Sequence, residues 1–132
     1  MRAKKLWALC ALLGLAWFAA GPDSASAAAP VVVITVSDEP AKFVPARVVI
    51  KAGDTVEWKN TGAILHSATD DPAKAGNSQA VSAPSGAALF DSGFLNPGAV
   101  YQHTFAVPGT YRYVCLPHQA QGMTGEILVK PR

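Results

Sequence analysis

In "TVEWKN", residues 55–60, Val56 and Trp58 alternate with Glu57 and Lys59, and the same two-residue rhythm returns in "VYQHTF" (100–105) and "TGEILVK" (124–130). Alternation of this kind places the apolar side chains on one face of an extended strand. "VVVITV" (31–36) is a short β-branched run ended by "SDEP", and "FVPARVVIK" (43–51) leads into the turn Ala52-Gly53-Asp54. "ALFDSGF" (88–94) reads as a further run that breaks at Asn96-Pro97-Gly98, and "TYRYVC" (110–115) follows Pro108-Gly109. Short β-rich runs with a turn signal about every 10 residues, and no useful helical period, predict an all-β sandwich. The segment 70–87, "DDPAKAGNSQAVSAPSGA", lacks the rhythm and predicts a surface loop with one helical turn near 72–75. No internal repeat or linker divides the chain.

The first residues set the compartment. Arg2, Lys4 and Lys5 precede an apolar run from Leu6 to Ala20, and "GPDSASAAAP" then offers small residues at the −3 and −1 positions of a cut after Ala27. This is the pattern of a secretory signal peptide over residues 1–27. The apolar run is short for a membrane span of roughly 20 residues, so no stable insertion is expected after cleavage. Cys10 lies inside the run, behind Leu9 where a lipobox wants a small residue, and is expected to leave with the signal. Residues 28–132 then form one domain with a single modest core, periplasmic or secreted and monomeric.

Cleavage also changes the charge. The whole chain carries a formal +2 and a pI near 8.6, but three basic residues and Asp23 belong to the signal. Eight Lys plus Arg then face eight Asp plus Glu. Without a basic stripe, no nucleic-acid partner is expected.

One cysteine remains, Cys115. Exported proteins usually pair their cysteines, so a single thiol must bridge to another chain, react, or be held by a metal. Its setting, "YVCLPHQAQGM", adds His118 three positions on and Met123 beyond Gly122, just before the apolar run "EILVK". Of the three histidines, His66 follows the Trp58 strand in "NTGAILHSATDD", whereas His103 alternates with Tyr101 and Phe105 inside a strand. His103 therefore reads as a packed or rim residue. Singly, each of the others has a bland explanation: a solvated loop histidine, a core methionine, a buried small thiol. Together they offer a thiolate, two imidazoles and a thioether. A trigonal His₂Cys set with a weak axial Met suits a copper ion cycling between Cu(I) and Cu(II).

"GDTVEWKN" with the later His66, and "PGTYRYVCLPHQAQGMTGEILV", resemble the cupredoxins, specifically their plastocyanin-like branch; the likeness runs from about Val31 to Lys130. The resemblance implies a Greek-key β-sandwich of about eight strands around one type 1 (blue) copper. It implies His66, Cys115 and His118 as equatorial ligands and Met123 as the axial one. It also implies single-electron transfer, with transient redox partners docking near His118 and no enzymatic turnover. Asn60 and Ser67 match positions that tie the ligand loops together. Ser67 stands where the family commonly has Asn, which implies fewer bonds between the loops. Val114 stands where photosynthetic plastocyanins commonly have Tyr, and Asp70 and Asp71 are the only clustered acids nearby, which argues against a photosynthetic role.

The expected surround of His118 is Gly62, Ala63, Ile64, Leu65, Pro117 and Ala120, small or apolar residues that suit a brief encounter. Pro117 has no N–H to give the Cys115 sulfur, which leaves the Ser67 N–H as the expected donor. The alternative is a protein that stores or delivers copper without passing electrons, although a mixed thiolate and imidazole cage suits release poorly. A cysteine hydrolase using Cys115 with His66 or His103 lacks an oxyanion-hole signature. A structural zinc site seldom recruits Met.

Overall fold

The computed structural model describes residues 31–132; the expected signal peptide, with Cys10, lies outside the described residues. Seven strands are found among these residues. They are β1 (Val31–Asp38), β2 (Ala41–Val44), β3 (Arg47–Lys51), β4 (Thr55–Asn60), β5 (Val100–Thr104), β6 (Gly109–Val114) and β7 (Thr124–Lys130). One sheet has the order β2-β1-β4-β5 and the other β3-β7-β6. In the first, β1 runs parallel to β4, with Val36 opposite Asn60. In the second, β3 runs parallel to β7 while β6 is antiparallel to it.

Alternation explains how the two sheets close on each other. Val56 and Trp58 of β4 and Ile34 and Val36 of β1 point inward, as do Val48, Ile50, Tyr111, Tyr113, Ile127 and Val129 from the second sheet. Trp58 lies at the centre. Its ring stacks on Phe90 at a centroid distance of 4.9 Å and meets Tyr113 edge-on at 5.5 Å. The structure is the all-β sandwich that the alternation predicts.

Two runs differ from the sequence reading. The run 43–51 is split between the sheets: β2 pairs with β1, and β3 pairs with β7. Pro45 sits at the break, where a residue without an N–H cannot continue a ladder. The run 88–94 forms no strand. It joins the loop after His66 through single bridges, Thr69 to Asp91 and His66 to Leu95. Asp91, Ser92 and Gly93 interrupt its apolar run, and its backbone and side-chain bonds go to the 66–70 segment instead. Thr69 also bridges Val114, so these two segments lengthen the second sheet beyond β6. The 70–87 loop has its turn at 71–75, closed by the Lys74 and Ala75 N–H groups on the Asp71 carbonyl, and a 3₁₀ turn at Ser78–Ala80.

Asp70 is not a surface acid. It is fully buried, with Oδ1 accepting the Phe90 N–H at 2.7 Å and Oδ2 without a partner among the described residues. Burial pushes its carboxyl up to about 6, against the opposing pull of the Phe90 N–H. The folded state therefore holds this proton more tightly than the unfolded chain does, and stability falls as pH rises from about 4 to about 6. Asp70→Asn keeps an acceptor for Phe90 and removes the charge. Its stability relative to wild type is expected to improve across that window by about 2–3 kcal/mol. Urea unfolding of both proteins at the two ends of the window checks this; a gap that does not change with pH contradicts it.

Candidate metal centre

β4 ends at Asn60, and that buried side chain organises the loop that follows. Its Nδ2 donates to the Ile64 carbonyl at 2.8 Å and the Leu95 carbonyl at 2.9 Å, while its Oδ1 accepts the Gly62 N–H at 2.9 Å. Asn60 thus ties the 61–66 loop to the Leu95 segment rather than to the cysteine loop. His66 then exchanges backbone bonds with Leu95, at 3.2 and 2.8 Å, and is completely buried.

Cys115 leaves β6 with its side chain buried and enters a 3₁₀ helix over Leu116–Gln121. Gly122 ends that helix at φ 79°, a left-handed conformation that glycine adopts without strain, and its N–H returns to the Gln119 carbonyl. The turn brings Met123 back: its N–H donates to the His118 carbonyl at 3.3 Å and its carbonyl accepts the Cys115 N–H at 3.1 Å. Cys115 and Met123 are buried, and His118 is half-buried. Ser67 links the two loops twice. Its N–H points at Cys115 Sγ at 3.3 Å, and its hydroxyl accepts the Leu116 N–H at 2.8 Å.

Three side chains converge. Cys115 Sγ lies 3.6 Å from His66 Nδ1 and 3.4 Å from His118 Nδ1, and the three donor atoms all fall within 4.8 Å of one another. The two imidazole rings sit 4.7 Å apart, tilted by 45°. His103 is elsewhere, on β5, wedged between Phe90 at 5.2 Å and Phe105 at 4.7 Å, and burial pushes its imidazole down.

Burial pushes the Cys115 thiol up, with the Ser67 N–H pulling the other way. It pushes His118 down, helped by the neighbouring His66. A soft sulfur and two imidazole nitrogens facing one point suit a copper or zinc ion, which on binding would expel the thiol proton. Met123, whose backbone bonds to Cys115 and His118, brings a thioether on the same loop, a donor that suits copper better than zinc.

The spacing of the sequence conceals one contributor. Asp38, at the end of β1, reaches His66 Nε2 with Oδ1 at 2.9 Å and accepts the Ala63 N–H with Oδ2 at 2.6 Å. Those two bonds, Ala63 first, hold its carboxyl below the usual range. Nothing local marks Asp38 in the sequence; only the parallel β1–β4 register carries it past Asn60 to the loop. Around the site Ile64, Leu65, Pro117 and Ala120 are exposed, and Phe94, 63% exposed and next to Leu95, adds an apolar side chain that the sequence reading omits.

A family model described as "Copper binding proteins, plastocyanin/azurin family" matches residues 30–130. The chain is 41% identical over 92 residues to the plastocyanin of Scenedesmus fuscus, which covers 67% of this chain and 86% of that protein. It is also 41% identical over 90 residues to the chloroplastic plastocyanin of Tetradesmus obliquus, over 67% of this chain and 58% of that protein. Among solved structures, amicyanin from Paracoccus versutus aligns with a TM-score of 0.56 at 28% identity, covering 76% of this chain and 81% of that one.

Proposed function

This chain belongs to the plastocyanin/azurin family of copper-binding proteins, and on that premise we propose that it is an exported one-electron carrier whose copper is held by His66, Cys115, His118 and Met123. The observation that carries the reading is the convergence of His66 Nδ1, Cys115 Sγ and His118 Nδ1 within 4.8 Å. Bound copper supplies a one-electron Cu(I)/Cu(II) couple. The chain supplies rigidity. His66 is locked to Leu95, the Cys115 backbone to Met123, and the two loops to each other through Ser67. A cage fixed this way changes little between oxidation states.

His118 is the least buried of the four, so its outer ring edge is the exit for the electron. Its neighbours Ile64, Leu65 and Pro117 are exposed and uncharged, which suits short-lived partners. Residues 1–27 act as a cleaved signal peptide, and residues 28–132 work as a monomer in the periplasm or outside the cell. Met123 would offer a thioether, a weak donor that tunes the couple rather than holding the ion.

Paired variants test the ligand choice. His118→Gly is expected to leave the sandwich folded, weaken the visible band of the copper-loaded protein, and regain most of it with added imidazole. His103→Ala is expected to leave both band and reduction potential unchanged. The reverse pattern, with His103 controlling the spectrum and His118 silent, contradicts the assignment.

A further inference from the structure

The carboxylate behind His66 has a seat built for it. Parallel pairing of β1 with β4 sets Val36 beside Asn60, and the Thr61 N–H continues the contact to the Val36 carbonyl at 3.0 Å. Two residues further along β1, Asp38 lies against the 61–66 loop. Its Oδ2 takes the Ala63 N–H and its Oδ1 takes the far nitrogen of His66. The seat exists because residue 62 is glycine. A Cβ there would fall 1.7 Å from Asp38 Oδ1 and 2.3 Å from its Cγ. The position shows no left-handed φ, so the need for glycine is one of space.

The consequence is chemical. An oxygen of a carboxylate can only accept, so His66 Nε2 must carry the hydrogen, and in the neutral ring Nδ1 is left with its lone pair facing Cys115. A ring that donates to a carboxylate is also more basic at its other nitrogen and favours the more highly charged state of a metal bound there. Resting on the copper reading above, we propose that Asp38 is a positioning residue. It sets the tautomer and orientation of His66 and lowers the reduction potential of the copper that His66 holds. Gly62 is the residue that admits it.

Two readouts test this, one of which needs no metal. In metal-free wild type with neutral imidazoles, nitrogen-detected NMR is expected to find His66 as the Nε2–H tautomer alone. In Asp38→Ala the Nδ1–H tautomer appears alongside it. In the copper-loaded proteins, voltammetry is expected to give a higher potential for Asp38→Ala than for wild type. Gly62→Ala, which keeps Asp38 but fills its seat, moves both readouts in the same directions. A wild-type tautomer ratio or a wild-type potential in Asp38→Ala overturns the proposal. Failure of the copper reading looks different: wild type itself then takes up copper without a visible band, whatever the tautomer of His66.

Discussion

Cys115→Ser is expected to abolish the intense visible band of the copper-loaded, oxidised protein while leaving the sandwich intact. The band of a type 1 site arises from charge transfer between a thiolate and Cu(II), and serine offers a harder, weaker donor in its place. Cys115 Sγ is the atom common to both short contacts of the cluster, 3.6 Å to His66 and 3.4 Å to His118. No other cysteine is found among the described residues. Folding is expected to survive because serine is close in size and its hydroxyl can accept the Ser67 N–H that now points at sulfur. Reversible electron exchange is expected to disappear with the band. Absorption spectra and voltammetry of the two proteins decide it; an intense band that persists in Cys115→Ser removes the thiolate from the site.

The second large effect is on stability. Trp58→Ala is expected to cost about 3–5 kcal/mol, a large share of the roughly 5–15 kcal/mol that holds a domain together. Trp58 is fully buried and touches four aromatic neighbours: Phe90, Tyr101, Phe105 and Tyr113. Its strand ends two residues later at Asn60, which pins the His66 loop, and Tyr113 lies two residues before Cys115. A cavity at Trp58 therefore sits beneath both ligand loops. Trp58→Phe keeps a ring against Phe90 and is expected to recover at least half of the loss. Urea unfolding of the metal-free proteins measures both values. A cost below about 1 kcal/mol for Trp58→Ala is typical of a surface change and contradicts the central packing role.

Much of the candidate site was legible in the chain because its proposed donors are rare residue types in rigid local spacing. Cys115, His118 and Met123 fall within one turn of chain, and Gly122 signals that the turn closes. The Ser67 N–H was legible as well, by default, once Pro117 had no hydrogen to offer the sulfur. The strands around Trp58, Tyr101 and Ile127 were legible from alternation alone. What escaped depends on pairing between distant segments. The run 88–94 is apolar enough to read as a strand, yet its bonds go to the loop after His66 through single bridges. Asp70, adjacent to Asp71 in the sequence, reads as half of an acidic pair but is fully buried under Phe90. Asp38 lies 28 residues before His66, and only a parallel register, which no local pattern encodes, brings the two together.

Spectroelectrochemical titration of the mature, copper-loaded protein reads the ligand set and the electron-carrier function in one cell. One copper per chain is expected, with an intense visible band in the oxidised form and full bleaching and recovery of that band in a reversible one-electron step. Copper bound without such a band, or a band that does not return after reduction and reoxidation, would contradict it.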